Sequence, residues 1–199
     1  MTLALVILST ILLGSLWCSM FEWTLHKYVM HRPVHFIGIR LHYPFRKHAL
    51  THHHTFTGTE SYHIHDEADK KVIKMAWWAG PILVLLMEIL PASVALGFLL
   101  SGYSLIGWTI ATIGIVVAAA YFFAYEYLHW CMHFPKDRWI ERTKALRFLN
   151  GHHALHHHFQ DNNLNVVFPF ADMIFGTLML RAPQPYPQPK PPVPDLQPH

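Results

Sequence analysis

Eighteen histidines stand against fifteen lysines and arginines in this chain, and thirteen of them fall into four clusters. The first is His26 and His31, five residues apart. On a regular helix of 3.6 residues per turn such a pair lies about 140° apart, so it shares a site only where the helix ends or distorts between them. The second is His48, His52, His53 and His54, in which His48 and His52 share one helical face and His53 lies at its edge. The third is the i,i+4 pair His129 and His133. The fourth runs from His152 to His158, and its His153, His156 and His157 form an i,i+3,i+4 triplet. Neutral imidazole is a ligand for zinc, copper, iron and nickel. Crowding this many rings together without a metal sets them against one another near their ordinary pKa of about 6.5. The clusters offer ten well-spaced ligands, His26, His31, His48, His52, His53, His129, His133, His153, His156 and His157, with His152 as a further candidate and His54 and His158 in reserve. A six-coordinate ion takes about six ligands, so the supply fits two ions with positions left open. Zinc accepts imidazole but has no redox chemistry, whereas iron allows oxygen activation; spacing alone does not choose between them.

The elements that must position these ligands are membrane spans. Hydrophobic residues make up 52% of the chain and charged residues 14%, against roughly 25% charged in soluble proteins. The uncharged run Thr2–Phe21 is long enough to cross a bilayer as a helix. It lacks the basic start and small-x-small cleavage site of a secretory signal, and Trp17 and Trp23 look like interfacial anchors. A second apolar block, Met75–Leu128, divides at Ser101-Gly102-Tyr103-Ser104 into a helical hairpin. Pro91 is expected to kink or break its first half, with a helix ending near Leu90 as the alternative. Glu88 is an ionisable group at membrane depth. All lysines and arginines lie in Lys27–Lys74 or Lys136–Lys190, after the first span and after the hairpin. The positive-inside rule therefore puts both basic segments, and the histidines with them, on the cytoplasmic side. The expected fold is all-α: a membrane bundle of about three spans with a cytosolic helical cap holding a dimetal site.

One domain over 1–181 is expected, followed by a proline-rich extended tail over 182–199. Two cysteines, Cys18 and Cys131, are too few for a disulfide framework. A net charge of +3 without a basic helix or aromatic-basic patch excludes a nucleic-acid partner. Glu22, four residues before His26, and Glu126, three before His129, are candidates to orient ring nitrogens from behind. Glu126-Tyr-Leu-His129 fits the Glu-x-x-His spacing of carboxylate-bridged bundles, but no second such pair exists, so a histidine-dominated site is expected.

The ordered boxes HX4H (His26, His31), HX3HH (His48, His52, His53), HX3H (His129, His133) and HX2HH (His153, His156, His157) resemble the fatty acid hydroxylase/sterol desaturase superfamily. Glu22 before the first box and the ending Asp172-Met-Ile-Phe-Gly176-Thr177 are similar to that family's pattern as well. The resemblance spans Glu22 to Thr177. It implies a two-iron centre on these ten histidines at the cytosolic face of a helical membrane domain, with zinc as an alternative occupant of purified protein. It also implies oxygen as co-substrate, an external reductant, and hydroxylation or desaturation of a lipid C–H bond. Where the family has Asn-aromatic-Gly after the last box, this chain has Asn165-Val166-Val167. No cytochrome domain precedes the first span, so the expected donor is a separate protein, cytochrome b5-like or ferredoxin-like. Carotenoid ring hydroxylases have similar boxes set closer together. The sixteen residues between His31 and His48 favour a fatty-acyl substrate.

The function expected is thus a membrane di-iron hydroxylase of fatty-acyl lipid, in a bacterial inner membrane or, for a eukaryote, the endoplasmic reticulum. A carotenoid or sterol hydroxylase or desaturase with the same centre is the alternative among enzymes. A membrane metal-binding protein without oxygenase activity is the alternative outside them. A transporter would carry ligands at mid-depth in its spans, whereas these boxes sit at span ends and in loops.

Overall fold

The computed structural model describes residues 2–36, 38–58 and 61–182. The expected proline-rich tail therefore lies, except for Ala182, outside the described residues. Three helices carry the fold: α1 (Leu3–Leu25), α5 (Ala79–Leu100) and α6 (Ser104–His133). Each is long and apolar enough to cross a membrane, the first with its continuation to Met30. Their outer faces are apolar and open, as at Leu85 (63% exposed) and Phe123 (68%), which is how a helix surface made for lipid differs from one made for water.

The long helix α6 is the centre of the bundle, with α1 and α5 both packed on it. The absence of side chains at Gly107 and Gly114 lets α5 come close: a Cβ at Gly107 would lie 2.8 Å from the Ala95 carbonyl, and one at Gly114 would lie 2.8 Å from both Glu88 and Pro91. Small residues of this kind are the usual means of close helix approach in lipid. α5 runs unbroken through Pro91, so the helix does not end near Leu90. Proline removes the N–H that would bond the carbonyl four residues earlier; here the Trp17 indole N–H of α1 donates to that carbonyl, Met87 O, at 2.8 Å. Trp17 is thus a tie between spans. Trp23 is buried, its indole donating to Thr177 Oγ1 at 2.9 Å.

The segments between spans build the other half of the site. After α1 a π turn, His26–Met30, leads to a hairpin of β1 (Val34–Phe36) and β2 (Ile39–Leu41), antiparallel with His35 opposite Arg40. There follow α2 (His42–Phe45), a second π turn (Arg46–His52), α3 (His53–Thr55) and α4 (Lys70–Ile73). Beyond α6, the Thr143 hydroxyl caps α7 (Lys144–His158) by accepting from the Leu146 N–H. α7 seats Leu146 and Leu149 against Tyr125, Met132 and Tyr62. A short α8 (Phe170–Ile174) closes the fold against α1.

Candidate metal centre

The ten histidines divide into two groups of five. His26, His31, His48, His53 and His156 form group one; His52, His129, His133, His153 and His157 form group two. Within each group one ring nitrogen from every residue lies within 4.8 Å of the others. Nine of the rings are buried and His31 is half-buried.

Local backbone geometry explains the sorting. In the first π turn the His31 N–H reaches the His26 carbonyl at 3.1 Å, an i→i+5 bond that brings residues five apart onto one side. The two rings stand 5.0 Å apart. The second π turn does the same for His48 and His53, whose Nε2 atoms are 3.0 Å apart. His48 and His52, which regular helical spacing would set on one face, are therefore separated: the wide turn hands His53 to group one and His52 to group two. On α7 the regular i,i+4 spacing keeps His153 and His157 together, Nε2 to Nε2 3.1 Å, while His156 points to group one. The predicted triplet is thus shared between the groups.

Backbone carbonyls orient the rings. In group one, His26 Nδ1 faces Leu164 O and His156 Nδ1 faces Asn162 O at 2.8 Å. In group two, His133 Nδ1 faces Tyr62 O at 2.8 Å and His157 Nδ1 faces Phe56 O. A carbonyl only accepts, so each of these Nδ1 atoms carries the ring proton and each Nε2 presents a lone pair. Segment 162–166 serves group one in this way, and the stretch around Phe56 and Tyr62 serves group two.

The Nε2 atoms so fixed point at one another. His31–His156 (3.2 Å), His53–His156 (3.1 Å) and His26–His48 (2.7 Å) meet in group one. His153 Nε2 lies 3.1 Å from both His133 and His157 in group two. A proton on His153 Nε2 can serve only one of those two lone pairs. The buried rings of His52 and His129 have no hydrogen-bond partner at either nitrogen. Buried polar atoms left in this state are costly, and a cation among them removes the cost. Two nitrogens each about 2.1 Å from one ion and at right angles are about 3.0 Å apart, which agrees with the contacts observed. The donor set fits one metal ion in each group.

Protonation is held in the same sense. Burial, reinforced by the His156 ring, pushes the His31 ring down to about 3, and burial pushes the His156 ring to about 4 against the pull of the Asn162 carbonyl and Asp172. Burial, reinforced by neighbouring histidines, holds His48, His52, His53, His153 and His157 well below the ordinary value. These rings are neutral at pH 7, as ligation requires.

Neither expected acid reaches a ring nitrogen. Both Glu22 oxygens are taken: Oε1 accepts from the Val166 N–H (2.7 Å), and Oε2 from Tyr121 OH (2.7 Å) and Asn165 Nδ2 (3.0 Å). It holds the segment that carries Leu164 O, and so acts on His26 at one remove. Glu126 turns to the Met75 N–H at 3.4 Å. His152 stands outside both groups, with Nε2 3.4 Å from Asp172. His54 is exposed, and His158 faces Gly58 O.

Asp172 is the latch of segment 162–166. It accepts from the Leu164 N–H (2.9 Å), the Asn165 N–H (2.8 Å) and the Thr177 hydroxyl (2.6 Å); against the opposing effect of burial, the His152 ring first and then these donors hold its carboxyl below the ordinary range. Asn163, at φ 55°, turns the chain in the left-handed region that Asn tolerates. Its amide ties His152 O to Met179 O. Val167 does not take a positive φ, so its backbone makes no demand for glycine. The orienting carbonyls carry no mark in a sequence; the polar run Asp161-Asn162-Asn163-Leu164-Asn165 directly after the last box is the available signal. Comparison with protein-family models, curated proteins and solved structures gives no match.

Proposed function

We propose that this chain is a membrane-bound dimetal hydroxylase that uses oxygen and electrons from a separate donor to oxidise a C–H bond of a fatty-acyl type lipid. The observation that carries this reading is the pair of five-histidine groups, buried, neutral and aimed inward, at the end of a bundle of three apolar helices. Two irons bound there would supply the redox chemistry needed to attack an unactivated C–H bond, which zinc lacks. The protein's own part is to hold ten lone pairs in place, to fix four Nδ1 protons on main-chain carbonyls, and to keep bulk water from the ions behind buried side chains. With the basic segments cytoplasmic, both groups face the side where soluble reductants are found.

The ordered boxes and the closing Asp172–Thr177 motif support the same assignment, as does the use of Asp172 to fix the segment orienting His26 and His156. A metal carrier that moved ions across the bilayer would place ligands along the spans; here His26, His129 and His133 sit at span ends. Expression in a host followed by lipid profiling tests the proposal. A new hydroxylated or desaturated lipid is expected with the wild type and not with His156→Ala at equal protein level. Identical profiles for empty host, wild type and variant, with iron bound and a reductant supplied, would reject oxygenase activity.

A further inference from the structure

The outward face of α8 and its flanks is apolar without interruption. Phe168, Met173, Ile174 and Phe175 are exposed, Met173 to 64% and Ile174 to 55%, and Phe168 stacks on half-buried Phe170. Between Asp161 and Arg181 the chain has one charged side chain, Asp172, and that one is fully buried. α7 shows the opposite pattern, with Lys144 and Arg147 exposed. An apolar patch of this kind marks a contact surface.

The depth of this face follows from where α8 is fastened. The Ser19 hydroxyl of α1 donates to Phe168 O at 2.6 Å and accepts the Ala171 N–H at 3.2 Å. The Ser19 carbonyl accepts from Asn165 Nδ2 at 2.8 Å. α1 and α5 run in opposite directions, with Val6 clustered with Ala95 at one end and Cys18 with Met87 at the other. The Trp17–Met87 bond fixes their register. Met87 lies eight residues inside α5, so Ser19 is about 9 Å inside the start of that span at the helical rise. Leu12, seven residues before Ser19 and so on the same face of α1, is 61% exposed. α8 thus continues the stripe of α1 that faces lipid.

We propose that Phe168 to Phe175 lies in the hydrocarbon layer of the membrane, in the leaflet nearer the histidine groups, as an immersed element that does not span. Its open face meets the bilayer as a solvent and holds no single lipid. Irregular backbone is tolerated at such depth only where protein supplies its partners, and Ser19 supplies them to Phe168 O and the Ala171 N–H. Because α8 carries Asp172, which fixes the segment orienting His26 and His156, the leaflet braces group one from the side. The inference rests on the spans lying in a bilayer and is independent of the hydroxylase reading.

Nitroxide labels on full-length protein in phosphatidylcholine nanodiscs measure the depth. Cysteine is introduced singly as Met173→Cys, Ile174→Cys, Phe123→Cys on the outer face of α6, and Lys144→Cys. Unsubstituted protein, whose Cys18 and Cys131 are buried, gives the background. Relaxation by oxygen, which concentrates in hydrocarbon, is compared with relaxation by a water-soluble nickel chelate. The oxygen-to-nickel ratio at positions 173 and 174 should match that at 123. It should exceed that at 144 by about tenfold or more, since hydrocarbon excludes a polar chelate. Position 173 serves alone should Ile174→Cys not accumulate. A ratio at 173 and 174 as low as at 144, with 123 high, would place α8 in water and overturn the proposal. Weak relaxation by both agents would overturn it by showing the face covered with protein, a second copy if the labels broaden one another. A low ratio at 123 as well would reject the membrane reading itself, an outcome separate from any assay of oxidation.

Discussion

The Trp17 indole N–H donates to the Met87 carbonyl at 2.8 Å, the oxygen that Pro91 leaves without its helical partner. Two departures from a regular span, a polar ring nitrogen and a proline, thus satisfy each other across the α1–α5 contact. Trp17→Phe should cost about 1 kcal/mol or somewhat more, since it leaves a carbonyl unpaired in an apolar setting. Pro91→Ala restores an N–H to α5, and in that background the Trp17→Phe penalty should shrink. Equilibrium unfolding in mixed micelles measures the cycle; strictly additive effects would show that the two positions are not coupled.

Metal content should follow the sorting of the rings. Wild type is expected to bind two ions per chain by elemental analysis, and His26→Ala or His129→Ala no more than one. His54→Ala should retain both, since His54 lies outside either group. His52→Ala and His53→Ala, neighbours in the chain, should perturb different cobalt spectra. The same spectral change in both would contradict their assignment to separate groups.

Asp172 offers a way to disturb one group from a distance. Asp172→Ala strands the Leu164 and Asn165 N–H groups and the Thr177 hydroxyl, a loss of about 3 kcal/mol in stability. Because this latch fixes the carbonyls facing His26 and His156, the affinity of group one should fall more than that of group two. A melting point equal to the wild type's would refute the latch.

The metal-free protein should weaken on acidification. An unfolded chain takes protons on histidine from about pH 6.5, while folded His156 waits until about pH 4 and His31 until about pH 3. Between these limits the unfolded state binds more protons, so stability rises with pH. Melting temperatures of chelator-treated protein should fall steadily from pH 7 to pH 4. A rise over that range would mean that the rings are protonated in the fold.

The long apolar helices and the ten histidines that the fold gathers were legible in the sequence, because apolar length and histidine clustering are local properties. The membership of each group was not. Helical spacing paired His48 with His52, but the π turn over Arg46–His52 pairs it with His53, and nothing in the run Arg-Lys-His-Ala-Leu-Thr-His marks that widening. The first π turn was foreshadowed, since His26 and His31 can meet only on a distorted helix. Glu22 was singled out as an acid to orient a ring nitrogen, but its partners are Tyr121, Asn165 and Val166, which lie about a hundred residues or more away in sequence, and only tertiary packing reveals them. The hydrogen bonds of Trp17 and Trp23 were hidden for the same reason: an indole at a span end looks alike whatever its N–H meets.

Adjacent residues facing different groups have a thermodynamic outcome. His52 and His53, and again His156 and His157, are chain neighbours on continuous helical segments that reach into both groups. Ordering such a segment around a first ion sets the neighbouring rings for a second, so the conformational entropy is spent once. Loading should therefore be cooperative. Protein given one equivalent of metal would consist mainly of chains with two ions and chains with none, and the centre would assemble as a unit.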